Sequence, residues 1–163
     1  MNYFKILNMK EEFGIDLEEL EAKYLELQKT LHPDTIGGSS GISKIVDINE
    51  AYRVLKNDYL RARALLKYNF HIDLGDEHDA RKYTNTSLLS EIMLEMEALE
   101  GKNNIEALEQ AKNKASVKKA ALISDIVKGF EEKAIELLAQ NIVHLKYYDK
   151  LIENMNIKIE ECY

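Results

Sequence analysis

The residues best placed to do chemistry stand together as His32-Pro33-Asp34. Pro33 disfavours helix at His32, so the triplet ends one element and opens a turn. By themselves the three residues read as a simple turn with helix-ending chemistry. His71, Asp73, Asp76, Glu77, His78 and Asp79 form a second group of reactive types. Their spacing fits no metal loop and lacks the regular oxygen positions of a calcium site, so they read as a solvated acidic stretch. His144 reads as a surface or partly buried histidine. Cys162, the only cysteine, can close no internal disulfide and build no cysteine-based zinc site. Gly37-Gly38-Ser39-Ser40-Gly41 has no Gly-Lys-Ser/Thr triplet after it and is not a phosphate loop. No serine or cysteine nucleophile pairs with an evident base. The expectation is a protein that is not an enzyme and that needs no metal and no cofactor.

The elements around the triplet follow from periodicity. Asp16, with Glu19 three residues on, has the spacing of a capping box. Leu17, Leu20, Tyr24, Leu27 and Leu31 then recur at steps of three and four, which predicts a helix with one apolar face ending near Leu31. The glycine-serine run reads as a flexible loop. Ile45, Ile48, Tyr52 and Leu55 repeat the pattern in a second helix starting near Ile42. Two such helices pack as an antiparallel hairpin, with Tyr3–Leu7 and Tyr59–Tyr68 as short flanking helices. Residues 71–86 are polar and aperiodic and read as a linker. Three helices follow, about 87–100, 104–140 and 141–161, with the second break placed at Gln140-Asn141. Gly129 inside the long helix costs about 1 kcal/mol relative to alanine and marks a candidate kink. The expected fold is all-α: residues 1–70, a linker at 71–86, and a C-terminal three-helix bundle over 87–163.

Composition bounds the partners. The 163 residues carry a net charge of −7. Residues 1–70 hold 10 basic and 11 acidic groups, residues 71–163 hold 12 and 18. An acidic chain without a dense basic stripe is repelled by phosphate backbones, so nucleic acid is not an expected partner. Apolar runs are short and no membrane span is expected. The start, Met1-Asn2-Tyr3-Phe4-Lys5, shows no signal or transit pattern, which predicts a cytoplasmic protein, expected to be monomeric.

The placement of the triplet between two amphipathic helices, with Tyr24 before it and Ile48-Asn49-Glu50-Ala51-Tyr52-Arg53-Val54-Leu55 after it, resembles a J-domain. Asn2-Tyr3-Phe4-Lys5-Ile6-Leu7, Leu25-Glu26-Leu27-Gln28 and Leu60-Arg61-Ala62-Arg63-Ala64-Leu65-Leu66 are similar to the HscB family. So are the acidic Leu/Met helix near 88–100 and Leu145-Lys146-Tyr147-Tyr148-Asp149-Lys150-Leu151. The resemblance covers almost the whole chain and makes residues 1–70 a J-domain. It implies a co-chaperone whose J-domain engages an HscA/DnaK-class ATPase and whose C-terminal bundle holds the iron–sulfur scaffold IscU. Asp34 would then accept charge-assisted hydrogen bonds from a basic residue of the ATPase, with His32 supporting the loop and Pro33 fixing its entry. Lys23 and Lys29 lie near the face such domains present to the ATPase. The chain departs from the pattern at Thr35, where J-domains usually carry lysine, and in the acidic setting of Lys23 and Lys29 among Glu18, Glu19, Glu21 and Glu26.

Helix geometry suggests a client face. With Leu88 at zero and about 100° per residue, the apolar residues Leu99, Ile92, Met96, Leu89 and Met93 span about 140°, wider than the stripe of about 100° a bundle helix needs. Leu89 and Met93 occupy the surplus edge, with Glu97 just beyond. In the last helix Ile142, Leu145, Tyr148, Ile152, Met155 and Ile159 share one side and Tyr147 points away from it. Off-centre apolar groups of this kind mark partner sites. The resemblance puts scaffold contacts at the same positions and at Ser90, which stands where the family usually has an apolar residue. The alternative is a general J-domain protein serving other clients of a DnaK-class chaperone.

Overall fold

The computed structural model describes residues 1–31, 39–101 and 103–163. Among them are eight helices: α1 (Tyr3–Ile6), α2 (Leu17–Thr30), α3 (Ser39–Lys56), α4 (Asp58–Phe70), α5 (Glu77–Lys82), α6 (Thr86–Ala98), α7 (Ile105–Glu132) and α8 (Ile135–Glu161). The chain divides into two compact units, Met1–Ile72 and Asp73–Tyr163. No helix among the described residues is long and apolar enough to cross a membrane.

In the first unit α2 and α3 pack as the expected hairpin, and α1 and α4 both pack on α3. Asp16 caps α2, its Oδ1 accepting from the N–H groups of Glu18 and Glu19. That satisfies two of the donors every helix start leaves open. α2 closes at Leu31, as the proline predicts. The helix α3 begins at Ser39, three residues before the expected start at Ile42, so Ser39-Ser40-Gly41 belong to the helix and not to the loop. The apolar periodicity starts one turn late because serine and glycine carry no apolar signal, although both are favoured near helix starts. The core is Phe4, Leu7, Leu20, Ile48, Ala51, Leu55, Ala62, Leu65 and Leu66, all fully or almost fully buried.

Between 71 and 86 the expected linker is structured. Its acidic residues do local backbone work: Asp76 Oδ1 accepts from the N–H groups of His78 and Asp79 and caps α5. Asp73 Oδ1 accepts from Gly75 N–H, and Asp79 Oδ2 from Asp73 N–H. Leu74 is buried. A six-residue helix is too short to show a period, which is why this segment reads as aperiodic.

In the second unit α7 and α8 form a long antiparallel pair and α6 packs on α8. The break between α7 and α8 falls at Lys133-Ala134, not at Gln140-Asn141. Lys133 adopts a left-handed conformation (φ 55°) and its N–H bonds Gly129 O, which ends α7. Ala134 N–H reaches the same carbonyl at 3.2 Å. Asn141 instead lies inside α8 and is buried. Gly129 therefore marks close packing rather than a kink: a Cβ there would sit 3.1 Å from Leu138 Cβ and Cδ1 across the turn.

Candidate partner interfaces

The hairpin that carries the triplet is held by side chains reading across it. The rings of Tyr24 on α2 and Tyr52 on α3 stack with centroids 4.0 Å apart and planes 10° from parallel. The Tyr24 hydroxyl donates to Asn49 Oδ1 at 3.0 Å, and Gln28 Nε2 donates to the same oxygen at 3.0 Å. These contacts hold the middle and later turns of α2 against the middle of α3. His32, Pro33 and Asp34 themselves, with Thr35, lie outside the described residues.

The two lysines expected beside the triplet differ. Lys23 is partly buried, donates to Asn8 O at 2.6 Å and pairs with Glu19. It anchors a chain reversal at Asn8, whose φ of 53° is left-handed. Lys29, in the last turn of α2, is exposed. The sequence alone could not separate them, because the carbonyl that holds Lys23 is 15 residues away.

On α6 the inward side is Ile92 and Leu99, both buried, with Leu88 and Met96 packed against the same core. That core also takes Leu108 and Ala115 of α7 and Tyr148, Leu151, Met155 and Ile159 of α8. Leu89 is half-buried at its edge, Met93 is 54% exposed, and Ser90 and Glu97 are exposed. Ser90 Oγ donates back to Thr86 O at 2.9 Å. Tyr147 differs from expectation: it is half-buried and packs against the core cluster. The helix-wheel arc for α8 omitted Leu151, a buried core residue, and so was drawn too narrow on that side. On α6 one exposed apolar group was missed. Leu94 is 64% exposed and lies about 100° beyond Met93 around the helix; an apolar residue outside the stripe was the available signal.

Ion pairs set the position of this face. Lys118 on α7 donates to Glu95 of α6 at 3.1 Å, and that hydrogen bond raises the lysine above its ordinary pKa. Lys119 pairs with Asp149 of α8 at 2.7 Å. His144 is buried on α8, which lowers its pKa, and its Nε2 has no hydrogen-bond partner among the described residues; the burial is deeper than the surface or partly buried position expected for it. Among the described residues no group of three His, Cys, Asp or Glu could hold a metal ion.

Comparison with known proteins follows the same two-part plan. Residues 2–64 match the DnaJ domain, and residues 84–156 match the HSCB C-terminal oligomerisation domain. The co-chaperone protein HscB of Proteus mirabilis is 30% identical over 95% of this chain and 94% of its own. The chain belongs to the HscB family of co-chaperones. A second HscB relative, the iron–sulfur cluster co-chaperone protein HscB homolog of Arabidopsis thaliana, is 27% identical over 98% of this chain and 64% of its own. The crystal structure of human co-chaperone protein HscB superposes with a TM-score of 0.84 at 21% identity, covering 97% of this chain and 82% of that one. The DnaJ match over residues 2–64 takes in α1, α2, α3 and the first half of α4, and the family's members are co-chaperones rather than enzymes. A J-domain co-chaperone implies a DnaK-class chaperone as partner.

Proposed function

We propose that this HscB-family chain binds an IscU-type iron–sulfur scaffold and delivers it to an HscA/DnaK-class chaperone, stimulating that chaperone's ATPase during iron–sulfur cluster assembly and transfer. The J-domain serves the ATPase through His32, Pro33 and Asp34, with Lys29 flanking and Lys23 holding the α2 entry. The second unit serves the scaffold through Leu89, Met93, Glu97 and Tyr147, with Ser90 beside them. The reading takes the chain as a cytoplasmic monomer; a solution mass above 18.8 kDa would count against the monomer.

The observation that carries the scaffold half is the state of α6. Its apolar surface is wider than its core contact, so Met93 and Leu94 stand in solvent while Ile92 and Leu99 are buried. An exposed apolar group costs solubility and adds nothing to the bundle, and methionine adapts well to a partner surface. Glu97 on the same side supplies a carboxylate for the rim, where charge sets register. Calorimetric titration of an IscU-type scaffold tests it. One-to-one binding weakened by Met93→Ala with an unchanged melting temperature supports the reading. Absence of binding, or binding indifferent to Leu89, Met93 and Glu97 substitutions, removes the scaffold assignment.

A further inference from the structure

Within the second unit the groove between α6 and α8 continues beyond Met93. One turn on it opens into a cavity of about 330 Å³, with Met96 and Leu99 of α6 and Ile157 of α8 as its apolar lining. Leu99 is buried, Met96 is half-buried and Ile157 is 48% exposed. Ile157 lies outside the cluster that Ile92, Leu99 and Met155 belong to. The cavity lies on the same face as Leu89, Met93 and Tyr147. At about 100° per residue, Glu100 of α6 points between Leu89 and Met93, and it lines the cavity. Glu161 of α8, also in the lining, follows Tyr147 by two heptads, a drift of only about 40° around the helix.

The rim is acidic. Glu100 and Glu161, both exposed, face one lysine, Lys158, in the lining, and Glu97 stands one turn before Glu100. No cation within α6 offsets the partial negative charge of its C-terminal carbonyls, since its last turn holds no basic residue. The volume stands at the low end of the range of ligand pockets, about 300–1,000 Å³, which suits a side chain or two of a peptide. We propose that this groove seats a segment of the scaffold that carries an apolar side chain next to a lysine or arginine. The apolar group packs on Met96 and Ile157, and the cation is held by Glu100 and Glu161. An arginine suits either carboxylate, through two hydrogen bonds. The inference rests on the scaffold reading above and extends it: the contact runs down to the last turn of α8, and the scaffold's contacting segment is basic.

The test is calorimetric titration of the full chain with an IscU-type scaffold, with Met93→Ala as the reference for the scaffold reading itself. Ile157→Ser should weaken binding about tenfold. Glu100→Lys and Glu161→Lys should each weaken it about fivefold, with unchanged melting temperatures. Wild-type affinity should fall as ionic strength rises. Glu161→Lys puts a cation at a helix C-terminus, where it is favourable, so it stays informative if Ile157→Ser loses stability. Binding that Met93→Ala weakens but that Ile157→Ser, Glu100→Lys and Glu161→Lys leave unchanged would overturn the groove and keep the scaffold reading. Sensitivity to Ile157→Ser alone would overturn the basic segment. A scaffold that does not bind the wild-type chain removes both readings.

Discussion

The guanidinium of Arg61 stacks 4.8 Å from the centre of the Phe13 ring while its Nε donates to the Phe13 carbonyl at 2.8 Å. Its other nitrogens donate to Leu55 O at 2.6 Å and Asp58 Oδ1 at 2.6 Å. One buried arginine therefore ties the loop before α2, the end of α3 and the start of α4 into one body. This geometry needs a planar fork, which lysine cannot reproduce. Arg61→Ala leaves two carbonyls and a carboxylate without their donor and is expected to destabilise the first unit by about 3 kcal/mol or more. Arg61→Lys should recover only a small part of that. Urea unfolding followed in the J-domain checks both, and a loss below about 1 kcal/mol for Arg61→Ala would contradict the tie.

Lys23 and Lys29 are expected to separate stability from function. Lys23→Ala removes a hydrogen bond and an ion pair and should cost about 1 kcal/mol. Lys29→Ala should leave thermal stability unchanged and weaken stimulation of the chaperone ATPase. Equal effects of the two on both readouts would show that Lys23 is not a packing lysine.

The turn between α7 and α8 sets two effects of one substitution against each other. Gly129→Ala gains about 1 kcal/mol of helix propensity. The new methyl would meet Leu138 at 3.1 Å, and overpacking costs about 1–3 kcal/mol. Because the contact includes Leu138 Cβ, which cannot swing away, net destabilisation is expected. The double variant Gly129→Ala/Leu138→Ala should regain part of the loss contributed by the clash, measured as a double-mutant cycle.

His144 makes the second unit acid-sensitive. Burial lowers its pKa, so the unfolded chain takes up a proton first as pH falls through its ordinary value of about 6.5. The stability tied to neutral His144 is present above that pH and lost below it. Stability should decline between about pH 7 and 5, and His144→Leu should flatten that part of the curve. An identical pH slope in the variant would assign the decline to other groups.

Tyr147 and Met93 should behave differently. Met93 is exposed, and Met93→Ala should change stability by no more than about 0.5 kcal/mol. Tyr147 packs on the core, and Tyr147→Ala should cost more than that while also weakening scaffold binding. Paired melts and titrations separate the two contributions.

What the sequence made legible was set by repetition and by local chemistry. The apolar steps of α2 and the proline at 33 located the hairpin, and Asp16 located its cap. Long-range pairings left no such trace. Nothing near Lys23 announces the Asn8 carbonyl, and nothing near Arg61 announces Phe13. The break after α7 was misplaced because Lys133 ends the helix by a left-handed turn that glycine or asparagine usually signals. On α6 the surplus apolar width was readable from spacing, whereas the half-buried state of Tyr147 depends on how α8 rotates against its neighbours, which spacing does not determine.

The proposed role is to couple a scaffold to a chaperone ATPase. Steady-state ATP hydrolysis by an HscA-type chaperone, with this protein and an IscU-type scaffold added separately and together, tests it most directly. The expected result is stimulation by the protein, a further rise when scaffold is also present, and loss of both with His32→Gln and with Asp34→Asn. Stimulation that is absent, or that survives both substitutions, would contradict it.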